Sequence, residues 1–179
     1  MDVQISNFLI KGIGVLILTV TVGGLIFGVI SLIRLLLKIK KLNHPEIIKY
    51  YFFMILCLLV MVASWILNIG WFRLILTWLA FPIIHFVLFA ILNGKAMLKL
   101  FLSQKLKIYT LLSYATYIIS YLFLPDGGDY GPMYVFFGLL HNDIAAYIAS
   151  VICEISFIAH IIISIFQLIE ISKTKQCGS

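Results

Sequence analysis

The sequence predicts an all-α membrane protein, a compact bundle of five transmembrane helices that forms one domain over residues 1–179. Hydrophobic residues make up 63% of the chain and charged residues 11%, whereas a soluble domain is nearer to half apolar and a quarter charged. Long apolar runs recur along the chain, and each is close to the roughly 20 residues that cross the hydrocarbon core of a bilayer. Basic residues cluster at alternate ends of these runs, as they do in membrane proteins.

The five predicted spans follow one another with short connections. We expect the first span to be retained and not cleaved as a signal peptide, because Asp2 replaces a basic start and the apolar run exceeds the roughly 7–15 residues of a signal core. The connection between the second and third spans is expected at residues 71–73. The predicted spans are residues 13–37, 50–70, 74–92, 108–124 and 144–169, with a longer loop at residues 125–143.

Two sequence signals shape the third span. Pro82 has no backbone N–H, so it predicts a kink there. The pair Asn93-Gly94 is typical of a helix C-terminus and predicts that the span ends there. The stretch 95–107 alternates lysines with apolar residues, which fits either a continuation of the span or a short helix on the membrane surface.

The distribution of positive charge predicts the orientation. With the N-terminus outside, all of the 13 lysines and arginines except Lys11 and Arg73 face the cytoplasm. This is the positive-inside arrangement, so we expect a multi-pass protein of the plasma membrane, a bacterial inner membrane, with its C-terminus in the cytoplasm. Because the basic residues flank apolar runs, the net charge of +6 indicates contact with the lipid bilayer and not with nucleic acid.

Small residues form one stripe on the first span, which predicts a helix-packing face. In lipid such a stripe lets a second helix approach closely, either within this chain or in a homo-oligomer. The stripe consists of Gly14, Thr21, Gly24, Gly28 and Ser31.

Polar residues inside the third, fourth and fifth spans predict an intramembrane polar site. Glu154 lies eleven residues beyond Asp143, about 16 Å down the helix axis, where a charge costs roughly 2.5–3.5 kcal/mol. Such a group either carries protons or ions, or it belongs to a polar core whose hydrogen bonds are satisfied internally. The predicted site consists of His85, Tyr117, Ser120, Cys153, Glu154 and His160.

The loop 125–143 is the most distinctive surface expected outside the membrane. Its glycine and proline residues predict tight turns, and Asn142 or Asp143 can cap the fifth span. Residues 133–140 are too apolar for a solvated loop and too short to span, which favours an interfacial or re-entrant segment. The residues expected to meet a partner are Asp126, Asp129, Tyr130, His141 and Asp143.

The sequence favours a non-enzymatic role. Cys57, Cys153 and Cys177 have no metal-type spacing and imply no disulfide, and no motif for a metal or cofactor is present.

The leading hypothesis is an accessory or immunity-type protein that binds another membrane protein or an inserted toxin. The alternative is a small transporter or channel with a proton or ion site at Glu154, His85 and His160, although an odd number of spans disfavours the commonest transporter repeats. An enzyme acting on lipid ranks last, because the acidic loop lacks a nucleophile.

Overall fold

The computed structural model describes residues 45–68, 70–127 and 132–176, together with Ile26, Ile30, Ile33, Arg34 and Leu37, which are helical and exposed. The small-residue stripe of the first predicted span lies outside the described residues. The helices of residues 45–176 are α1 (Pro45–Leu67), α2 (Trp71–Trp78), α3 (Phe81–Met97), α4 (Gln104–Leu122) and α5 (Asp143–Gln176). A 3₁₀ turn (Leu100–Leu102) links α3 to α4, and a hairpin of β1 (Tyr134–Val135) and β2 (Leu140–His141) links α4 to α5.

Two of the described helices are long and apolar enough to cross a membrane. They are α1, over Ile47–Leu67, and α5, over Asp143–Thr174. Together α2 and α3 make a third candidate, a span that is bent by 63°. Helix α4 has 19 residues, which is long enough, but it is not apolar enough to be a candidate span. Its lysines and hydroxyl side chains lower its hydropathy. The prediction of apolar membrane helices is thus confirmed for α1 and α5, whereas the count of five spans is not shown.

The third predicted span is broken between α2 and α3. Ala80 has a φ of 52°, in the left-handed region, and Pro82 follows in the first turn of α3, where its missing N–H costs no helical hydrogen bond. The kink predicted from Pro82 is therefore a break just before it. The predicted end at residues 93–94 is wrong, because α3 continues to Met97. Asn93 stays helical and its Nδ2 donates to the Phe89 carbonyl at 2.9 Å.

The core of the bundle lies where α1, α3 and α5 surround α4. Helix α4 packs along α5 on one side and along α1 on the other, and α3 contacts all three. The outward faces of α1 and α5 carry exposed isoleucine, leucine and phenylalanine side chains, as lipid-facing helices do. Aromatic and sulfur-containing side chains dominate the core: Met54, Cys57, Met61, Phe89, Met97, Tyr114, Tyr117 and Tyr121.

Residues 133–140, for which the sequence favours an interfacial or re-entrant segment, form most of a two-stranded hairpin. Tyr134 pairs with His141 in antiparallel register, and the turn between the strands has positive φ at Phe136, Phe137 and Gly138. Asn142 caps α5 as predicted, because its Oδ1 accepts from the backbone N–H of Ala145 at 3.0 Å. We refer below to residues 132–142 as the hairpin and to its side of the bundle as the hairpin end.

Candidate functional site

A buried ion pair lies at the hairpin end, between α2 and the segment that follows α4. Arg73 Nη1 donates to Asp126 Oδ2 at 3.2 Å, and both side chains are 1% exposed. Nη2 of the same guanidinium donates to Ser64 Oγ at 3.0 Å and to the Leu124 carbonyl at 2.8 Å. The Ser64 hydroxyl in turn donates to the Tyr121 carbonyl at 2.7 Å. One arginine therefore ties α1, α2 and the end of α4 together.

The Asp126 carboxylate also caps the start of α2. It accepts from the backbone N–H groups of Phe72 at 3.2 Å and Arg73 at 3.0 Å, two donors that a helix start leaves without partners. Gly70 lies so close that a Cβ at this position would overlap the Asp126 carboxylate and the Gly127 carbonyl. The absence of a side chain at position 70 is what allows the carboxylate to reach the helix end.

The sequence places Asp126 in a partner-facing loop and Arg73 in a tight connection, but the structure buries both. Arg73 lies in the first turn of α2, and the connection from α1 is at residues 68–70. Because its side chain is 1% exposed, Asp126 does not lie on the molecular surface where the sequence expects it. The sequence does contain one signal for this ion pair. Arg73 and Asp126 carry opposite charges, and both lie in connections that are predicted on the same side of the membrane.

Two histidines meet in the middle of the bundle. The ring centroids of His85, on α3, and His160, on α5, are 5.3 Å apart in a T-shaped arrangement. His85 Nδ1 lies 2.8 Å from the Tyr121 hydroxyl, and His160 Nδ1 lies 3.2 Å from the Thr116 hydroxyl. Each ring has a hydroxyl partner on α4, with the donor set by the tautomer. Chemically, such a pair can relay a proton or satisfy a polar core.

Three more residues of the predicted intramembrane site lie in the same part of the bundle. Cys153 Sγ donates to the Ser120 carbonyl at 3.2 Å, which joins α5 to α4. The Tyr117 hydroxyl donates to Met61 Sδ at 3.2 Å, and the Tyr117 ring centroid is 5.6 Å from that of His160. The Ser120 hydroxyl donates to the Thr116 carbonyl of its own helix at 2.7 Å. The bonds of Cys153 and Tyr117 cross between helices and hold α1, α4 and α5 together.

Glu154 stands apart from the histidines. Its side chain is exposed and lines a half-open cavity of about 750 Å³ at the hairpin end. The cavity is lined by α2, the start of α3, the facing parts of α4 and α5, the segment after α4, and Met133. Within the described residues Glu154 forms no hydrogen bond or ion pair. The wall of the cavity includes Trp71, Phe81, Tyr121, Cys153, Glu154 and Phe157.

A second polar network lies nearer the other end of the bundle. Gln167 Nε2 donates to Asn93 Oδ1 at 2.9 Å and to Thr110 Oγ1 at 3.0 Å. Asn93 Nδ2 donates to Ser113 Oγ at 3.2 Å, so α3, α4 and α5 are all joined here. Sequence reasoning misses this network because it assigns Asn93 to a helix end. The signal for it is the series of polar residues at helical spacing on α5, which ends with Gln167.

Of the remaining predicted partner residues, His141 lies in the hairpin and Asp143 is the first residue of α5. His141 and Asp143 are exposed, and Asp143 Oδ1 accepts from the backbone N–H of Met133 at 2.9 Å. Burial raises the pKa of the Tyr134 phenol above its ordinary value, and the Asp126 carboxylate raises it further, so the phenol is neutral at physiological pH. The other two predicted residues, Asp129 and Tyr130, lie outside the described residues.

Comparisons with known proteins give no match: no protein family, curated protein or solved structure is significantly similar to the chain. Within the described residues, no three His, Cys, Asp or Glu side chains come close enough to share a metal ion. Cys57 and Cys153 are buried free thiols, and Cys177 lies outside the described residues.

Proposed function

We propose that the chain is a five-span protein of the plasma membrane, with its N-terminus outside and its C-terminus in the cytoplasm. Helices α1 and α4 run in one direction and α3 and α5 in the other, so their basic ends come together. The positive-inside rule assigns this basic end to the cytoplasm and the hairpin to the outside. The described lysines that support this orientation are Lys49, Lys95, Lys99, Lys105, Lys107 and Lys173.

We further propose that the protein acts without catalysis, by binding another membrane protein through the hairpin, in an accessory or immunity-type role. The observation that carries this proposal is the apolar surface of the hairpin. Leu139 is 81% exposed, the highest value for a large apolar side chain in the described residues. Met133 and Leu140 of the same hairpin are also exposed, and these three side chains are the contact surface that the proposal assigns to the partner.

The hairpin is held as a fixed shape by the buried ion pair at its base. The backbone N–H of Asp126 donates to the Tyr134 carbonyl at 3.0 Å, and the Tyr134 N–H donates to the Asp126 carbonyl at 2.9 Å. Because the Asp126 side chain is itself held by Arg73 and by the start of α2, the hairpin is anchored to α2 directly and to α1 through the bond from Arg73 to Ser64. A surface that is ordered before binding loses little conformational entropy when a partner docks.

A protein partner suits the hairpin better than lipid does. The turn has positive φ at three consecutive residues, Phe136 to Gly138, and the Leu139 N–H donates to the Phe136 carbonyl at 3.2 Å. The other peptide groups of the turn lie outside the short ladder between β1 and β2. Such backbone is tolerated at membrane depth only where protein or water covers it. The exposed apolar side chains of the hairpin are therefore best covered by the surface of another protein.

Site-specific photo-crosslinking in native membranes tests this proposal. A photoreactive amino acid is placed at Leu139, and in a matched control at Leu102, which is 67% exposed on the 3₁₀ turn at the opposite end. We expect a protein adduct from position 139 and none of the same mass from position 102. Adducts at position 139 with lipid alone, or with a second copy of this chain alone, would contradict the proposed partner.

Proton or ion transport is the second candidate, favoured by the contact between His85 and His160 beside the cavity that Glu154 lines. Against it, both imidazoles already have hydroxyl partners within the bundle. Purified protein in liposomes distinguishes the two roles. Flux that falls in Glu154→Gln supports transport, whereas equal impermeability of the native protein and the variant rejects it.

A further inference from the structure

The cavity at the hairpin end has the size of a small-molecule site. Its volume of about 750 Å³ falls within the roughly 300–1,000 Å³ that is usual for ligand pockets. A membrane-spanning helix of 20 residues, about 30 Å long and 10 Å wide, occupies roughly 2,400 Å³. The cavity is therefore too small for a partner helix, and its occupant differs from the protein proposed to bind at the hairpin.

Aromatic rings from several helices line the cavity. Trp71 comes from α2, Phe81 from α3, Tyr121 from α4 and Phe157 from α5. The ring centroids of Phe81 and Phe157 are 5.7 Å apart, so these two rings form a continuous part of the wall. Aromatic faces attract both apolar groups and organic cations.

The polar groups of the wall are already engaged, with one exception. Asp126 is paired with Arg73, and Cys153 Sγ donates to a carbonyl of α4. The Ser150 hydroxyl likewise donates to the Tyr147 carbonyl of its own helix at 2.7 Å. The exception is Glu154, whose carboxylate has no hydrogen bond or ion pair to any residue that the structure describes. One carboxylate falls far short of the roughly 6–8 oxygen ligands of calcium, so a bare metal ion is a poor fit.

We propose that the cavity binds a small hydrophobic organic cation, with its apolar body against the aromatic wall and its positive charge at Glu154. A neutral amphiphile would fill the apolar space but leave the carboxylate desolvated without a partner, which is costly. An anion would be repelled by Glu154. A cation satisfies the carboxylate and the aromatic faces together.

Equilibrium binding of two probes of the same shape and opposite charge tests the charge requirement. Tetraphenylphosphonium and tetraphenylborate are each dialysed against the protein in nanodiscs of zwitterionic lipid, with empty nanodiscs correcting for partition into lipid. We expect saturable binding of the phosphonium and no saturable binding of the borate. Borate binding as tight as phosphonium binding, or no saturable phosphonium binding, would overturn the proposal.

Substitutions locate the bound cation. Glu154→Gln should weaken phosphonium binding about tenfold or more, because one charge-assisted contact is lost. Glu170→Gln is the matched control, since it removes the same charge from the same helix, where the carboxylate accepts from Ser103 at the other end. Equal binding by the native protein and Glu154→Gln, or an equal loss in Glu170→Gln, contradicts the assignment.

A second variant keeps the test decisive if Glu154→Gln does not fold. Phe157→Ala removes part of the aromatic wall and leaves the carboxylate in place, so we expect phosphonium binding to weaken several-fold. Unchanged binding in that variant overturns the proposed site. The crosslink at Leu139 is expected to persist in both variants, so failure of this proposal and failure of the proposed partner binding are separate results.

Discussion

Arg73 and Asp126, which are 53 residues apart in the chain, form an ion pair in which both side chains are 1% exposed. The pair does more than neutralise two charges. The arginine reaches α1 through Ser64, and the aspartate caps α2 and anchors the backbone of the hairpin. Such a pair contributes little net stability when compared with an apolar replacement, but removal of one member leaves a buried charge without a partner.

Asp126→Asn should therefore destabilise the protein strongly. The amide cannot neutralise Arg73, and loss of one member of a buried pair costs about 3–5 kcal/mol. Chemical unfolding in mild detergent measures the effect. Asp143→Asn is the control, because the Asp143 side chain is exposed and accepts from one backbone N–H. A difference of less than about 1 kcal/mol between the two variants, the scale of an exposed pair, contradicts the role given to Asp126.

Gly70→Ala should also destabilise the hairpin end. A Cβ at position 70 would overlap the Asp126 carboxylate, and overpacking of this kind costs about 1–3 kcal/mol. Gly127→Ala is a near neighbour in which the new Cβ would lie 3.5 Å from Met133 Cγ, an ordinary contact. The free energy of unfolding should be clearly lower for Gly70→Ala than for Gly127→Ala. Equal values would show that the backbone at Gly70 does not lie this close to Asp126 and Gly127.

Tyr121→Phe should destabilise the bundle by about 0.6–1.7 kcal/mol, the range of hydrogen bonds between membrane helices. The substitution removes the hydroxyl that lies 2.8 Å from His85 Nδ1 and leaves the ring in place. Tyr109→Phe serves as the control, because the Tyr109 ring stacks on Phe166 with centroids 6.0 Å apart and this contact does not need the hydroxyl. Equal stability of the two variants would argue against the bond to His85.

Cysteine modification gives an independent view of the cavity. Cys153 lines the cavity and is 8% exposed, whereas Cys57 is fully buried in the core. In a Cys177→Ser background, N-ethylmaleimide should modify Cys153 faster than Cys57, as followed by mass spectrometry of peptides. Faster modification of Cys57 would mean that the cavity does not open toward Cys153.

The parts of the fold that the sequence predicts well are those set by local composition. Residues 50–70 and 144–169 were expected to span, and the structure has helices over Pro45–Leu67 and Asp143–Gln176. A run of about 20 apolar residues by itself indicates a membrane-spanning helix, so no contact with a distant part of the chain is needed to recognise it. The break before Pro82 is only half predicted, because the left-handed conformation of Ala80 depends on how α2 and α3 pack.

The candidate site is predicted less completely, for a geometric reason. Helical spacing gives the position of Glu154 along its helix but not which neighbouring helix its side chain faces. In the structure the Glu154 side chain lines the cavity and lies apart from the contact between His85 and His160. The pairing of Arg73 with Asp126 joins segments far apart in the chain, and nothing local to either segment indicates it. Contacts between helices decide both features.

The central claim is that the hairpin end of this bundle faces the outside of the membrane. Two single variants, Leu139→Cys and Leu102→Cys in a Cys177→Ser background, place a thiol at the hairpin and at the opposite end. A membrane-impermeant maleimide added to intact cells should label position 139 at once, and position 102 only after the membrane is permeabilised. Labelling of position 102 in intact cells, with position 139 protected until permeabilisation, would contradict the account.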